Sequence, residues 1–183
     1  MLITTDLIRS VRTRFSQIWI DPRNNHEVVE CTDSLALLIH IEDQNKFVLL
    51  VEERLAMRTE ENPTGKILGL VAGRFDNNQT PMELAVQEAR EECGADITGE
   101  QIEFLNHGQP LGLSPGIITE RSYLAFARIH SNQLEPDRVF GLADENEKIT
   151  RRLVTLEELR NMTYDDVRVM TLVLWFLQNK VGR

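Results

Sequence analysis

Three glutamates, Glu88, Glu91 and Glu92, stand at spacings i, i+3 and i+4. At about 100° per residue a helix would gather them on one side. Like charges at i,i+4 disfavour a helix by roughly 0.2–0.5 kcal/mol per pair. Acids in a last turn also oppose the macrodipole, by roughly 0.3–1 kcal/mol each. Carboxylates held this way need a compensating positive charge, and a divalent cation with oxygen ligands is the natural one. The plain alternative is a solvated acidic face on a surface helix, because 29 of the 183 residues are Asp or Glu.

The element that must position these acids announces both of its ends. A turn-rich piece from Gly73 to Gln79 leads to Thr80 as N-cap, Pro81 at the first helical position and Glu83 completing a capping box. Gly94 supplies a left-handed stop. The signals predict a helix over Pro81 to Cys93. Met82, Ala85, Val86, Ala89 and Cys93 then share an apolar arc, and Glu83, Gln87 and Arg90 a polar one.

Size and composition bound the rest. With 183 residues, 42% of them hydrophobic, the chain suits one domain over 1–183 with a substantial core. A net charge of −9 argues against a general nucleic-acid binder and allows an anionic substrate only where cations are supplied locally. Cys31 and Cys93 are the two cysteines and form no CxxC pair, and Cys93 lies on the apolar arc. The N-terminal MLITTDLIRSVRTRF lacks the apolar core of a signal peptide. The longest apolar run, Val169 to Leu177, is far short of a membrane span. The expectation is a cytoplasmic chain with neither membrane nor nucleic acid as partner.

Along the chain, Phe15 to Ile20 and His26 to Val29 predict an N-terminal strand hairpin around the turn Asp21 to Asn25. Ser34 to Ile41 and Lys46 to Glu52 are apolar on consecutive residues and predict central strands covered on both faces. Further strands are predicted at Ile67 to Ala72, Gln101 to Leu105, Ile118 to Ile129 and Ile149 to Val154. Arg54 to Lys66, Gly108 to Gly116 and His130 to Glu147 read as loops, and Thr155 to Met162 and Tyr164 to Lys180 as helices. The fold class is α/β (α+β), a mixed sheet sandwiched by helices with an N-terminal hairpin.

The stretch Gly73 to Ala95 resembles the Nudix box, Gly-x5-Glu-x7-Arg-Glu-U-x-Glu-Glu-x-Gly-U with U aliphatic. Gly73, Glu88, Ala89, Glu91, Glu92, Gly94 and Ala95 match at that spacing, whereas Gln79 replaces Glu and Gln87 replaces Arg. Three more segments resemble the ADP-ribose pyrophosphatase subfamily. They are Leu70-Val71-Ala72-Gly73, the run Ser114-Pro115-Gly116 followed by Thr119-Glu120-Arg121-Ser122, and the acidic run Gly141 to Glu147. The similarity covers about residues 13–180 and is weakest before Ser34. It implies an α/β/α Nudix sandwich over 33–183, with strands within 1–32 that exchange between subunits of a homodimer or form an ordinary edge hairpin.

The resemblance also implies a reaction: hydrolysis of the diphosphate bond of a nucleoside diphosphate linked to X. ADP-ribose or a nucleotide sugar would give a nucleoside monophosphate and a sugar phosphate. Glu88, Glu91, Glu92 and the Ala72 carbonyl would hold Mg2+, or Mn2+ in its place, as two or three ions. The general base would be Glu145 or Glu147, with Glu120 contacting metal or water. Arg54, Arg74 and Gly116 are the candidates for binding substrate, Arg54 at a register about one residue off the family's Gln-x-Arg. Where the family braces its loop with a Glu–Arg ion pair, Gln79 and Gln87 would hydrogen-bond to each other. The alternative is a Nudix-fold binding or sensor module that holds ADP-ribose-like ligands without cleaving them.

Overall fold

The structure is a computed structural model that describes residues 8–12, 16–75, 78–142 and 148–181. Among these, eight strands form a mixed sheet and three others a small N-terminal sheet. The N-terminal sheet contains β1 (Ile8–Arg12), β2 (Ser16–Asp21) and β3 (His26–Cys31), antiparallel in that order. The expected hairpin is thus present with an extra outer strand, and Phe15 lies outside the described residues.

The large sheet is built around β4 (Ser34–Ile41), β5 (Lys46–Glu53) and β10 (Arg121–Ile129). β4 runs parallel to β10 along its whole length, Ser34 facing Ser122 and Ile41 facing Ile129. β4 and β5 pair antiparallel only beside their turn, over Ile39 to Ile41. Beyond it they diverge, and the gap takes two further strands. β6 (Lys66–Gly69) pairs with β5, and β7 (Val71–Arg74) pairs with β4. The single strand predicted over Ile67 to Ala72 is therefore two, broken at Leu70 where the chain changes partner. β8 (Ile102–Phe104) and β9 (Leu111–Gly112) add to β10, and β11 (Thr150–Thr155) closes the other side on β5.

Two predicted strands start later than expected for identifiable reasons. Gln101 belongs to a 3-10 turn (Gly99–Gln101) closed by Thr98 and Gln101 on each other's backbone amides. Ile118 leaves the β10 run and makes an isolated bridge to Val29, so that end of the run carries the N-terminal sheet.

Helix α1 (Pro81–Cys93) has the predicted bounds. Thr80 accepts from the Glu83 amide, Glu83 accepts from Thr80, and Gly94 stops the helix at φ 62°. α2 (Leu156–Asn161) carries the same box through Thr155 and Glu158. α3 (Val167–Asn179) begins later than Tyr164 because Asp166 takes the N-cap and accepts from the Arg168 amide.

Alternation along β4 divides the core. Leu35, Leu37 and Ile39 face α1 and pack with Leu50, Val71, Leu84, Ala85 and Ala89. Ala36 and Leu38 face α3 and pack with Phe47, Leu49, Phe126, Val169, Leu172 and Phe176. Each large side chain fully buried this way contributes about 1.5–3 kcal/mol. Both predicted central strands are buried on both faces, as consecutive apolar residues require. No helix among the described residues is long and apolar enough to cross a membrane.

Candidate active site

Helix α1 lies against β7, and the contact is charged on one side. Its buried residues are Leu84, Ala85, Ala89, Cys93 and also Glu92, while Met82 and Val86 are only half-buried. The apolar arc is therefore rotated from the predicted one: Leu84 joins the core, and Glu92 sits at its border, 3% exposed. A buried carboxylate needs partners. The Ala72 amide donates to Glu92 Oε2 at 2.8 Å.

Glu88 meets the same piece of backbone. A Cβ on Gly73 would lie 2.0 Å from Glu88 Oε1 and 2.6 Å from its Cγ, so only glycine lets this side chain lie across β7. The carboxylates of Glu88 and Glu92 thus converge on Ala72 and Gly73. Glu91 is half-buried and accepts from Gln87 Nε2 at 3.1 Å, and Gln87 Oε1 accepts from Gln79 Nε2 at 2.5 Å. The predicted amide contact between the two departing residues is present.

The end of α1 also anchors the flanks of the acidic segment. The Gly141 amide donates to the Glu91 carbonyl at 3.3 Å, and Glu135 N–H to the Gly94 carbonyl at 2.9 Å. Phe140 and Ile149 exchange backbone hydrogen bonds of 2.8 and 3.1 Å. Arg151, with a side chain only 5% exposed, donates to the carbonyls of Cys93 (2.9 Å) and Glu135 (2.7 Å) and pairs with Asp137. Its guanidinium also lies over the Phe140 ring. The sequence reading passed over Arg151, and no local signal marks it. Glu145 and Glu147, the candidates for the base, lie outside the described residues with Asp144.

A second charged group forms where β5 ends. Glu52 is buried, with Gly69 leaving room for its carboxylate, and Arg54 Nη2 lies 2.5 Å from it. At the start of α3, Arg168 and Asp166 form a bidentate pair with a closest contact of 2.6 Å. Burial works against the charge on Asp166, but the Arg168 hydrogen bonds outweigh it and hold the carboxyl below its ordinary range. The Arg168 guanidinium feels the charges of Glu52 and Glu120, and Asp166 that of Arg54. The predicted Arg54 and Glu120 thus act electrostatically on the Asp166–Arg168 pair, which sequence reasoning missed because helix starts are often capped this way.

The other predicted residues lie toward the N-terminal sheet. Arg74 is exposed at the end of β7, and both Arg74 and Glu120 act electrostatically on Cys31. Gly116 is exposed, and its carbonyl lies 3.2 Å from the His26 ring. The N-terminal sheet is held here by Val29, whose amide donates to Ile117 and whose carbonyl accepts from Thr119. Cys93 is packed in the core, and burial pushes its thiol up to about 12, so it is no nucleophile at neutral pH.

The donors gathered at β7 are carboxylate oxygens, the type that a hard divalent cation takes and zinc does not favour. Among the described residues no group of three or more His, Cys, Asp or Glu side chains is placed to hold a metal ion by itself. The convergence of Glu88 and Glu92 on Ala72 and Gly73 nevertheless offers oxygen donors of the kind such an ion takes.

The NUDIX domain family matches residues 33–173. An ADP-ribose pyrophosphatase of Haemophilus influenzae is 29% identical over 125 residues, 67% of this chain and 54% of that protein. A GDP-mannose pyrophosphatase of Yersinia enterocolitica is 30% identical over 142 residues, 78% of this chain and 67% of that protein. One from Yersinia pestis is 30% identical over 119 residues, 65% of this chain and 57% of that protein. The chain thus spans between about half and two thirds of these relatives.

Proposed function

We propose that this chain, which belongs to the Nudix family, is a pyrophosphohydrolase that cleaves the diphosphate bond of a nucleoside diphosphate linked to X. The observation that carries this reading is the convergence of Glu88 and the buried Glu92 on the Ala72–Gly73 backbone. ADP-ribose and GDP-mannose are the substrates that the similar proteins' names bring to the reading. The products would be a nucleoside monophosphate and a sugar phosphate.

Glu88, Glu91, Glu92 and the Ala72 carbonyl would hold the cation, Mg2+ or Mn2+, as two or three ions. A bound divalent cation neutralises phosphate charge and lowers the pKa of water. The chain's own residues supply the remainder. The Ala72 amide donates to the Glu92 carboxylate and fixes it at the border of the core. Arg54, anchored by Glu52, offers a planar fork for a phosphate or ribose. Arg168 is anchored by Asp166 and feels the charge of Glu120. Arg74 and Gly116 would bind substrate on the side of the N-terminal sheet, and Glu145 or Glu147 would take the proton from the attacking water. That sheet is also the proposed dimer contact. Its outer strand β1 pairs on one side only among the described residues, an open edge suited to a second copy.

Gln79 and Gln87 motivate the alternative of a binder that does not cleave. Their mutual hydrogen bond keeps the loop tied to the helix without the charges, which favours the enzyme. The test is incubation with ADP-ribose, GDP-mannose, UDP-glucose and NADH plus Mg2+, with products followed by phosphorus NMR. Paired monophosphates are expected from at least one of them. No turnover at micromolar enzyme would overturn the reading.

A further inference from the structure

The hydrogen bonds joining Gln79, Gln87 and Glu91 have a direction. An ionised carboxylate only accepts, so Gln87 must present its amide nitrogen to Glu91, as it does at 3.1 Å. Its carbonyl oxygen then points the other way, and residue 79 must donate, as Gln79 Nε2 does at 2.5 Å. The chain of bonds runs from the loop before α1, across one helical turn, into a carboxylate of the candidate cation site.

We propose that Gln87 is a positioning residue and that Gln79 sets its polarity, the two forming a one-way amide relay that orients Glu91 toward the bound cation. The proposal rests on the reading of Glu91 as part of a cation site. Both relay members are neutral and add no charge beside Glu91. The side chains at 79 and 87 are therefore coupled: a donor at 79 goes with an amide at 87, and an acceptor at 79 requires an all-donor side chain at 87. A glutamate at 79 beside Gln87 satisfies neither condition. Gln87 would then stand between two carboxylates with one amide nitrogen, and one of them would face its carbonyl oxygen.

The consequence distinguishes the relay from simple electrostatics. An added carboxylate near a cation site raises cation affinity by Coulomb attraction, an effect that salt screens, since the Debye length falls to about 3 Å at 1 M. The relay predicts the opposite sign, because Gln87 is pulled from Glu91. Loss of one hydrogen bond of this kind corresponds to roughly a threefold weakening.

The experiment is Mn2+ titration by electron paramagnetic resonance in about 1 M salt, on wild type, Gln79→Glu, Gln87→Arg and the double variant. Gln79→Glu should bind Mn2+ about threefold more weakly, and adding Gln87→Arg should restore the affinity. Unchanged or tighter binding by Gln79→Glu, or a double variant weaker than either single one, would overturn the relay. Side-chain amide NMR of the metal-free protein separates this outcome from failure of the cation site itself. The Gln87 amide signal should shift on both Gln79→Ala and Glu91→Gln, and a signal that ignores both overturns the relay even where Mn2+ binds. A wild type that binds no Mn2+ refutes the cation reading, and the amide signal then decides the relay alone.

Discussion

The two faces of the large sheet are made by the same strands but carry different loads. On the α3 face the packing is aromatic: Phe47, Phe126 and Phe176 surround the half-buried His40, with Trp175 against Phe126. On the α1 face the core is mainly aliphatic, with Phe140 buried in it and Phe75, Phe104 and Tyr123 packed at its edge, and it stops at a carboxylate, Glu92, fastened to the backbone of β7. One face holds the fold and the other places its charges at the border of the core. Substitutions should separate the two loads.

The largest effect is expected from Glu92→Gln. The amide oxygen can still accept from Ala72, so the fold should survive, while turnover falls by at least about 10²-fold because an anionic ligand is gone. Thermal melting measured beside the assay checks both halves, and full activity would remove the proposed role of Glu92. Phe47→Ala makes the converse cut. A cavity among fully buried rings costs about 3–5 kcal/mol of stability, whereas turnover per folded molecule should be close to wild type. Denaturant unfolding with activity normalised to folded protein reads this. A selective loss of turnover would mean that the faces are not separable.

Gly73→Ala tests the boundary between them. Its Cβ would displace the Glu88 side chain, so Mn2+ affinity should fall about tenfold with little change in melting temperature. The smallest effect is on the α3 face. Burial holds the His40 pKa below its ordinary 6.5, despite the hydrogen bond to Asn45 and the nearby Glu42. Below about pH 6.5 the unfolded chain binds a proton that the native state resists. Stability is therefore complete above that pH and lost as the pH falls toward the folded pKa. His40→Phe should flatten the decline in melting temperature between about pH 7 and 5. An unchanged slope would place the titration elsewhere.

What could be read from the sequence follows the range of the forces involved. Helix α1 was legible to its last residue because Thr80, Glu83 and Gly94 are local signals. The strands over Ser34 to Ile41 and Lys46 to Glu52 were legible because burial on both faces leaves an apolar run, and the second extends one residue further, to Glu53. The break at Leu70 was not, since it exists only because β4 and β5 diverge and the chain must change partner. The box residues were found by spacing, yet the burial of Glu92 was not, because it depends on how α1 rests on β7. Arg151 and Arg168 escaped for the same reason: their partners are 14 or more residues away or in an ordinary cap. Asp144, Glu145 and Glu147 were placed by resemblance and lie outside the described residues.

The central claim is that the charged border of the α1 face is a divalent-cation site on which hydrolysis depends. Mn2+ titration of wild type, Glu92→Gln and Phe47→Leu, with ADP-ribose and GDP-mannose turnover measured on the same samples, tests it most directly. The account predicts that Glu92→Gln loses binding and turnover together while Phe47→Leu keeps both in its folded fraction. Turnover that persists in Glu92→Gln, or in wild type stripped of divalent cations by a chelator, would contradict it.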